Sequence, residues 1–461
     1  MEQFDVIVIG SGSGMLIASA AVEQGFKVAL VEHGKMGGTC INVGCVPSKM
    51  LIYPADILAT MEEAKKLGIN VTVNSVDFNN IMGRMHALVN HDSGQQAAAV
   101  EATENLTWFK ESAEFTSDYT LQVGAHTITA KVIFIVSGAR TATPLVKGIE
   151  NVGSLTSDSV LELKIQPKSV VIVGGGYIGM EYGHFFSAIG TKTTIIQRPF
   201  RVVPEEEPEI SDLLKVELGK RMEIYTGFEA LEAKQEGAVK TIVARNRQDS
   251  SIKEFSAEAI MVATGRVPNA YSLKPEKTDV QLDEHGFIKV NEYLETTKKN
   301  IFAFGDAIGK QMFKHVANYE AGIAWHNTIH DHKAKIDFSA APHAIFTHPQ
   351  VASVGLKEEE AKQQGYEFLV GMALYKDTAM GAALGFPEGF VKVIVEQGTN
   401  RILGAHIIGP EASILVQEIT DAMASGKSDF GPISQGMHIH PALNEVVQNA
   451  FGNLHQHRRE H

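Results

Sequence analysis

Asp5-Val6-Ile7-Val8-Ile9-Gly10-Ser11-Gly12-Ser13-Gly14 is the stretch that decides the fold. Four consecutive β-branched residues suit a buried parallel strand, and the glycines after them allow a tight turn. An Ala-rich helical stretch then leads to a second strand, Lys27-Val28-Ala29-Leu30-Val31-Glu32. The same design recurs further on. Ser169-Val170-Val171-Ile172-Val173 runs into Gly174-Gly175-Gly176-Tyr177-Ile178-Gly179, then a helix, then Thr193-Thr194-Ile195-Ile196-Gln197. In such a turn one glycine makes the bend, one lets the backbone approach a pyrophosphate, and one lets the helix pack on the strand, with the helix N-terminus facing the phosphates. Two βαβ openings therefore predict two dinucleotide sites, each in a Rossmann-like α/β domain.

The ends of the second strands differ. Glu32 suits an adenosine ribose with free hydroxyls. Gln197 stands where the second acid would be, followed by Arg198 and, nearby, Arg201. Loss of the acid and gain of guanidinium favour a 2'-phosphate, hence NADP(H) over NAD(H). The third glycine position of the first turn is Met15, so the crossover there must be locally different.

The chain has 461 residues, enough for two to four domains. With 44% hydrophobic and 21% charged residues it is ordinary globular material, neither disordered nor a coiled coil. No apolar run is long enough to span a bilayer, and the strand pattern starts at once without a leader, which predicts a cytoplasmic protein. A formal charge of -13 disfavours nucleic acid and anionic membranes as partners. Pro167 and Lys168 mark a boundary. Gly305-Asp306 ends another strand with a carboxylate suited to a ribose or polyol, and Ala263-Thr264-Gly265 leaves the second domain through a glycine turn. The expected domains are 1–150 and 271–340 as two segments of one dinucleotide domain, 151–270 as the other, and 341–461 as a C-terminal α+β domain. The tail from Leu454 to His461 reads as a frayed, solvated end.

The only two cysteines stand five residues apart in Gly37-Gly38-Thr39-Cys40-Ile41-Asn42-Val43-Gly44-Cys45-Val46-Pro47-Ser48-Lys49. Two cysteines cannot build a disulfide framework or a four-ligand zinc site, and no metal is expected. On a regular helix their Cα atoms would be about 8.6 Å apart, beyond the roughly 4.4 to 6.8 Å that a disulfide needs. If they bond, the helix must break. Gly44 and Pro47, which cannot donate to the Val43 carbonyl, supply a break.

This segment, with both glycine turns, resembles the redox-active stretch of the class I pyridine nucleotide-disulfide oxidoreductases, and the resemblance covers essentially the whole chain. It implies a fold of two Rossmann-like domains, for FAD and NAD(P), plus a C-terminal α+β dimerisation domain. It implies FAD contacts from Gly10, Gly12, Gly14, Glu32, Gly38, Thr39, Lys49, Ser137, Gly138, Asp306 and His315. NAD(P) would meet Gly174, Gly176, Tyr177, Gly179, Gln197, Arg198 and Gly265, with Tyr177 covering the flavin until nicotinamide displaces it. Lys49 and Glu181 match an ion pair near the flavin. Electrons would pass from NAD(P)H through the flavin to Cys45, and Cys40 would attack the substrate. In His438-Ile439-His440-Pro441-Ala442-Leu443-Asn444-Glu445, His440 matches the family's acid/base and Glu445 the carboxylate that orients it. The family takes this histidine from the other subunit, which implies a homodimer.

Several stretches, among them Phe313-Lys314-His315-Val316-Ala317-Asn318, look most similar to mycothione reductases. Ala20 and Ala21 stand where glutathione reductases carry paired arginines, and the tail lacks the extra cysteines of mercuric reductases. The expected substrate is thus a small-molecule disulfide. The alternatives are oxidation of a lipoyl dithiol, as in dihydrolipoamide dehydrogenase, or a catalytically silent dinucleotide-binding flavoprotein.

Overall fold

The computed structural model describes residues 1–456. Strand β1 (Glu2–Ile9) crosses over through helix α1 (Gly14–Glu23) to β2 (Val28–Val31), and the two strands pair in parallel. Strands Leu106–Phe109 and His126–Ile135 extend this sheet in parallel on either side, and Ile301–Ala303 joins it beyond His126–Ile135. An antiparallel pair, Ala113–Ser117 and Thr120–Val123, completes its seven strands. Every residue from Val28 to Val31 is buried, as a strand covered on both faces requires.

The second unit has a four-stranded parallel sheet, in the order Glu223–Thr226, Lys192–Gln197, Ser169–Val173, Ala259–Val262. A three-stranded antiparallel sheet, Phe228–Glu236, Val239–Asn246 and Ile252–Ala257, packs beside it. The return to the first unit runs through the short antiparallel pair Ala139–Thr141 and Arg266–Pro268. The last unit is a six-stranded antiparallel sheet from Pro342–Ile345 to His455–Gln456, with helices Ala412–Ala424 and Glu445–Gly452 packed on it. Here the tail departs from the expected frayed end. Leu454 packs on the core, and His455 and Gln456 pair with Val370 and Leu369. The rest of that tail, 457–461, lies outside the described residues.

Buried polar groups tie the second and third units together. Glu206 binds His343 and accepts from Ser353 Oγ at 2.5 Å, and Ser353 meets His406 Nδ1 at 3.1 Å. Beside it the buried Lys392 ammonium gathers Glu207 at 3.2 Å, Glu209 at 3.0 Å and Glu358. Those three carboxylates have the spacing of a cation site, and Lys392 is the cation. Among the described residues, no helix is long and apolar enough to cross a membrane.

Candidate active site

The cysteine segment is two helices, not one. Helix α2 (Gly38–Asn42) holds Cys40, half-buried, and α3 (Cys45–Glu63) starts at Cys45, which is exposed. The break falls at Gly44, with φ -127° and ψ -115°. A Cβ there would lie 2.9 Å from the Thr39 carbonyl oxygen, so the bend excludes any other residue without a shift. Pro47 contributes differently from the sequence expectation. It sits in the first turn of α3, where the backbone N–H has no helical acceptor, so its missing donor breaks nothing.

The bend lets Cys40 donate its S–H to the sulfur of Cys45. That hydrogen bond, with burial, pushes the Cys40 thiol up, and it pushes Cys45 down to about 6, helped by the nearby Lys49 ammonium. Cys45 is also the first residue of a 19-residue helix, a position that favours a thiolate. Both shifts favour a thiol at Cys40 and a thiolate at Cys45.

Lys49 and Glu181 meet as expected. The ammonium lies 3.0 and 2.8 Å from the two carboxylate oxygens, and 4.4 Å from the centre of the Phe346 ring. Glu181 also accepts from the Phe346 N–H at 2.9 Å. A second pair, unforeseen from the sequence, binds α3 to the helix Tyr177–Ala188. Asp56 lies 2.8 Å from the buried His184, and burial pushes that imidazole down, towards neutrality. The signal was present: Lys49 and Asp56 are seven apart, Glu181 and His184 three apart, each pair on one helix face.

The first glycine turn is built for a phosphate-bearing ligand. Gly10 has φ +109°, and a Cβ on it would lie 2.2 Å from the Val136 carbonyl oxygen. Gly38 fits against Gly12, where a Cβ would come 2.7 Å from its Cα, while the Cβ direction of Gly12 itself is open. Glu32 closes the turn, accepting from Ser11 N at 3.0 Å, Ser11 Oγ at 2.9 Å and Gly34 N at 2.7 Å. At the rim, Ser137 Oγ is buried without a partner, Gly138 has φ +67°, and Asp306 lies 3.4 Å from the Arg266 guanidinium. Burial pushes the Asp306 carboxyl up. An orphaned hydroxyl, an open glycine face and the N-terminus of α1 with no acid in its first turn fit the pyrophosphate and ribose of FAD. Thr39 lies in α2 above this turn. His315 is placed otherwise: its Nε2 meets the Pro342 carbonyl at 2.7 Å and its ring stacks on Phe313.

The second turn repeats the first. Gly174 has φ +114°, a Cβ on Gly179 would lie 2.0 Å from the Gly174 carbonyl oxygen, and Gly176 and Gly265 are open. Gln197 is buried, its amide oxygen accepting from Gly175 N at 2.8 Å. Arg198 is 70% exposed and lies 3.4 Å from Glu229, and Arg201 pairs with Asp212 at 3.0 Å. Tyr177 begins the following helix, its ring against Phe313 and its hydroxyl pushed up by burial.

His440 and Glu445 lie in the C-terminal unit. Nδ1 of the imidazole is 2.7 Å from Glu445 Oε1, and Glu445 Oε2 accepts from Ala442 N at 3.1 Å. The ring is 71% exposed. The charged side chains that act on the sulfurs include Lys49, Glu181 and Lys314. Lys314, which the sequence reading did not single out, starts the helix Lys314–Ile329 and donates to Ser13 Oγ at 3.0 Å.

Two dinucleotide turns, with a close cysteine pair beside the first, define the class: a flavin- and nicotinamide-linked oxidoreductase acting on sulfur. Residues 4–321 match the family description pyridine nucleotide-disulphide oxidoreductase, and 341–451 match its dimerisation domain, so the chain belongs to that family. It is 34% identical to a mycothione reductase of Mycobacterium tuberculosis, over 98% of this chain and 99% of that one. It is 31% identical to a dihydrolipoyl dehydrogenase of Bacillus subtilis over 97% of each. A mercuric reductase of Staphylococcus aureus is 34% identical over 92% of this chain and 77% of its own. Among solved structures, the Cu(II) complex of the HOCl-induced flavoprotein disulfide reductase RclA from Escherichia coli superposes with a TM-score of 0.87. Its sequence is 26% identical, covering 98% of this chain and 99% of that one.

Proposed function

We propose that this chain is an NADPH-dependent reductase of a small-molecule disulfide, similar to mycothione reductase, and acts as a homodimer. The observation that carries the reading is the cysteine pair at the break between two helices, Cys40 in the first and Cys45 opening the second, with shifts that favour a thiolate on Cys45. A bound FAD, held by Gly10, Gly12, Gly14, Glu32, Ser137 and Asp306, supplies two-electron exchange between a nicotinamide and the sulfurs.

The residues then divide the work. Cys40 must lose its proton before it can attack, because the thiolate is the nucleophile. The exposed His440, oriented by Glu445, is a base in search of a substrate. In a homodimer, His440 of one subunit takes the Cys40 proton at the other. The Cys40 thiolate attacks one substrate sulfur, the substrate S–S bond breaks, and the leaving thiolate takes the proton back. The Cys45 thiolate then attacks Cys40, closing the Cys40–Cys45 disulfide and releasing the second product as a thiolate, which takes its proton from water. Two cysteine sulfurs are oxidised and two substrate sulfurs reduced, so the electrons balance. Lys49, held by Glu181, steadies the Cys45 thiolate before this step. Two cysteines that work as free thiols suit a reducing compartment such as the cytoplasm.

NADPH is favoured because Gln197 places no negative charge where a 2'-phosphate would sit, and Arg198 is loosely held. The test is steady-state turnover with NADPH and NADH against lipoamide and a panel of low-molecular-weight disulfides, for the wild type, Cys40→Ser, Cys45→Ser and His440→Gln. We expect NADPH-driven reduction of a small disulfide, lost at least about 1,000-fold in either serine variant. Undiminished turnover in either serine variant would overturn the reading, and a lipoamide preference with NADH would replace it.

A further inference from the structure

Lys314 is a cation in an unfavourable place. It is the first residue of a 16-residue helix, where the helix dipole is positive, and it is half-buried. Burial pushes its ammonium down. Among the described residues it has no carboxylate within ion-pair distance; its hydrogen bond goes to the neutral hydroxyl of Ser13, which in turn donates to Asn318 Oδ1 at 2.9 Å. A cation that opposes a helix dipole and forgoes full hydration needs an anion. Its partner Ser13 follows Gly12, which packs against Gly38 at the start of the short helix that holds Cys40, so the ammonium lies on the Cys40 side of the cysteine pair, and the two sulfurs act on it against the effect of burial.

The other lysine at this site already has a counter-charge. Lys49 meets both oxygens of Glu181, so the carboxylate offsets part of the charge that Lys49 brings to Cys45. Lys314, on the Cys40 side, has no such counter-charge among the described residues. We propose that Lys314 is a positioning residue that supplies the uncompensated positive charge for the thiolate left on the Cys40–Cys45 pair when its disulfide is reduced. This rests on the reading of the pair as a redox disulfide. Reduction adds two electrons and one proton to give Cys40–S–H and Cys45–S⁻, so the pair gains one negative charge, which Lys314 faces from the Cys40 side. The hydrogen bond to Ser13 holds the ammonium at the first glycine turn, so the charge that favours the thiolate is fixed to the cofactor cradle.

The test uses the purified holoenzyme, reduced, with its thiolate titrated by ultraviolet absorbance and by the pH dependence of iodoacetamide alkylation. Lys314→Met removes the charge and keeps the bulk, and Lys314→Gln keeps a donor for Ser13. Both should raise the apparent thiol pKa by about one unit, and lower the two-electron midpoint potential by about 30 mV, the equivalent of tenfold. Lys314→Arg should restore both. If either uncharged variant folds and titrates within about 0.2 units of wild type, the inference fails. A shift that Lys314→Arg does not restore would also overturn it, since packing rather than charge would then be responsible. Disulfide turnover is measured in parallel. Loss of the proposed activity with the shift intact would sink the reductase reading alone, and an unmoved titration with normal turnover would sink only the role of Lys314.

Discussion

At Gly10 and at Gly174 the backbone bends alike, with φ +109° and +114°, and an added Cβ would in each case lie 2.2 Å from a carbonyl oxygen, that of Val136 or Ala263. The residue that closes the turn is also at the same place, the end of the second strand. There the likeness stops. Glu32 closes the first turn with a carboxylate and Gln197 closes the second with a neutral amide, each accepting from a backbone N–H. The first helix opens with i→i+3 bonds, Met15 N to Gly12 O at 3.4 Å and Leu16 N to Ser13 O at 3.1 Å. The second opens with an i→i+4 bond, Met180 N to Gly176 O at 2.9 Å. Backbone sterics fix the shape of a dinucleotide turn, and the side chain at the strand end is free to choose among dinucleotides. Only the first turn lies beside sulfur, linked through Ser13 to Lys314.

The largest effect should come from breaking the shared feature. Gly10→Ala and Gly174→Ala each meet both a positive φ and a carbonyl oxygen, and each should destabilise its own domain by about 3 kcal/mol or more. Gly10→Ala should purify without flavin. Gly174→Ala should keep its yellow colour and lose its response to NADPH. If both variants lost flavin equally, the two turns would not serve separate ligands.

A second comparison concerns buried acids. Beneath Gly305-Asp306 in the first domain, Glu320 is fully buried, with Oε2 accepting from Gly305 N at 2.6 Å and Oε1 unpartnered. Burial pushes its carboxyl up to about 7. The folded state then holds a proton that the unfolded chain releases near pH 4.5. Stability from this group is present below that pH and is lost as pH rises through 7, on the order of 3 kcal/mol in all. Glu320→Gln keeps the acceptor and cannot ionise, so its denaturant midpoint should exceed that of the wild type at pH 8 and converge with it near pH 5. Parallel midpoints across that range would refute the assignment.

How much of this was legible beforehand follows from distance along the chain. Strand, turn and helix at both glycine motifs are local, written by β-branched runs and glycines within about a dozen residues, and they emerged as read. Lys49 and Glu181 were named only through the family resemblance, since nothing local links positions 49 and 181. The partners of Arg198 and Arg201 were invisible for the same reason. Glu229 comes from a strand and Asp212 from a helix, and neither shares a periodicity with the arginines. The buried chain Glu206, Ser353, His406 joins two domains across about 150 to 200 positions, as the hydrogen bonds record. The break expected at Gly44 is there, while Pro47 disrupts nothing, because the helix starts at Cys45 and Pro47 lies in its first turn.

The choice of nucleotide is expected to move less than stability. Gln197→Glu gives the second turn the same closing carboxylate as the first, and its oxygen can still accept from Gly175 N. The new charge would repel a 2'-phosphate and accept from ribose hydroxyls. The ratio of kcat/KM for NADPH over NADH should fall about tenfold, near 1.4 kcal/mol. An unchanged ratio would mean that the strand end does not read the ribose.

The smallest effect is expected where the two turns differ most in sequence. Met15 occupies the place of Gly179, five residues after the first glycine of its turn, and there a Cβ in the second domain would lie 2.0 Å from a carbonyl oxygen. The first domain has moved the close contact one residue earlier. Gly14 is buried, and a Cβ on it would lie 2.8 Å from Val8 Cγ1, while Met15 is half-buried and packs on the sheet's apolar core. Met15→Gly, which restores the spacing of the second turn, should therefore gain nothing. It loses a thioether's packing and places glycine inside a helix, a net loss of about 1 kcal/mol, measurable as a lower urea midpoint. Gly14→Ala should cost somewhat more, because the Val8 side chain must rotate away from the new methyl. A Met15→Gly protein more stable than wild type would mean that the helix is held off its strand by Met15, and that the close contact belongs at position 15 after all.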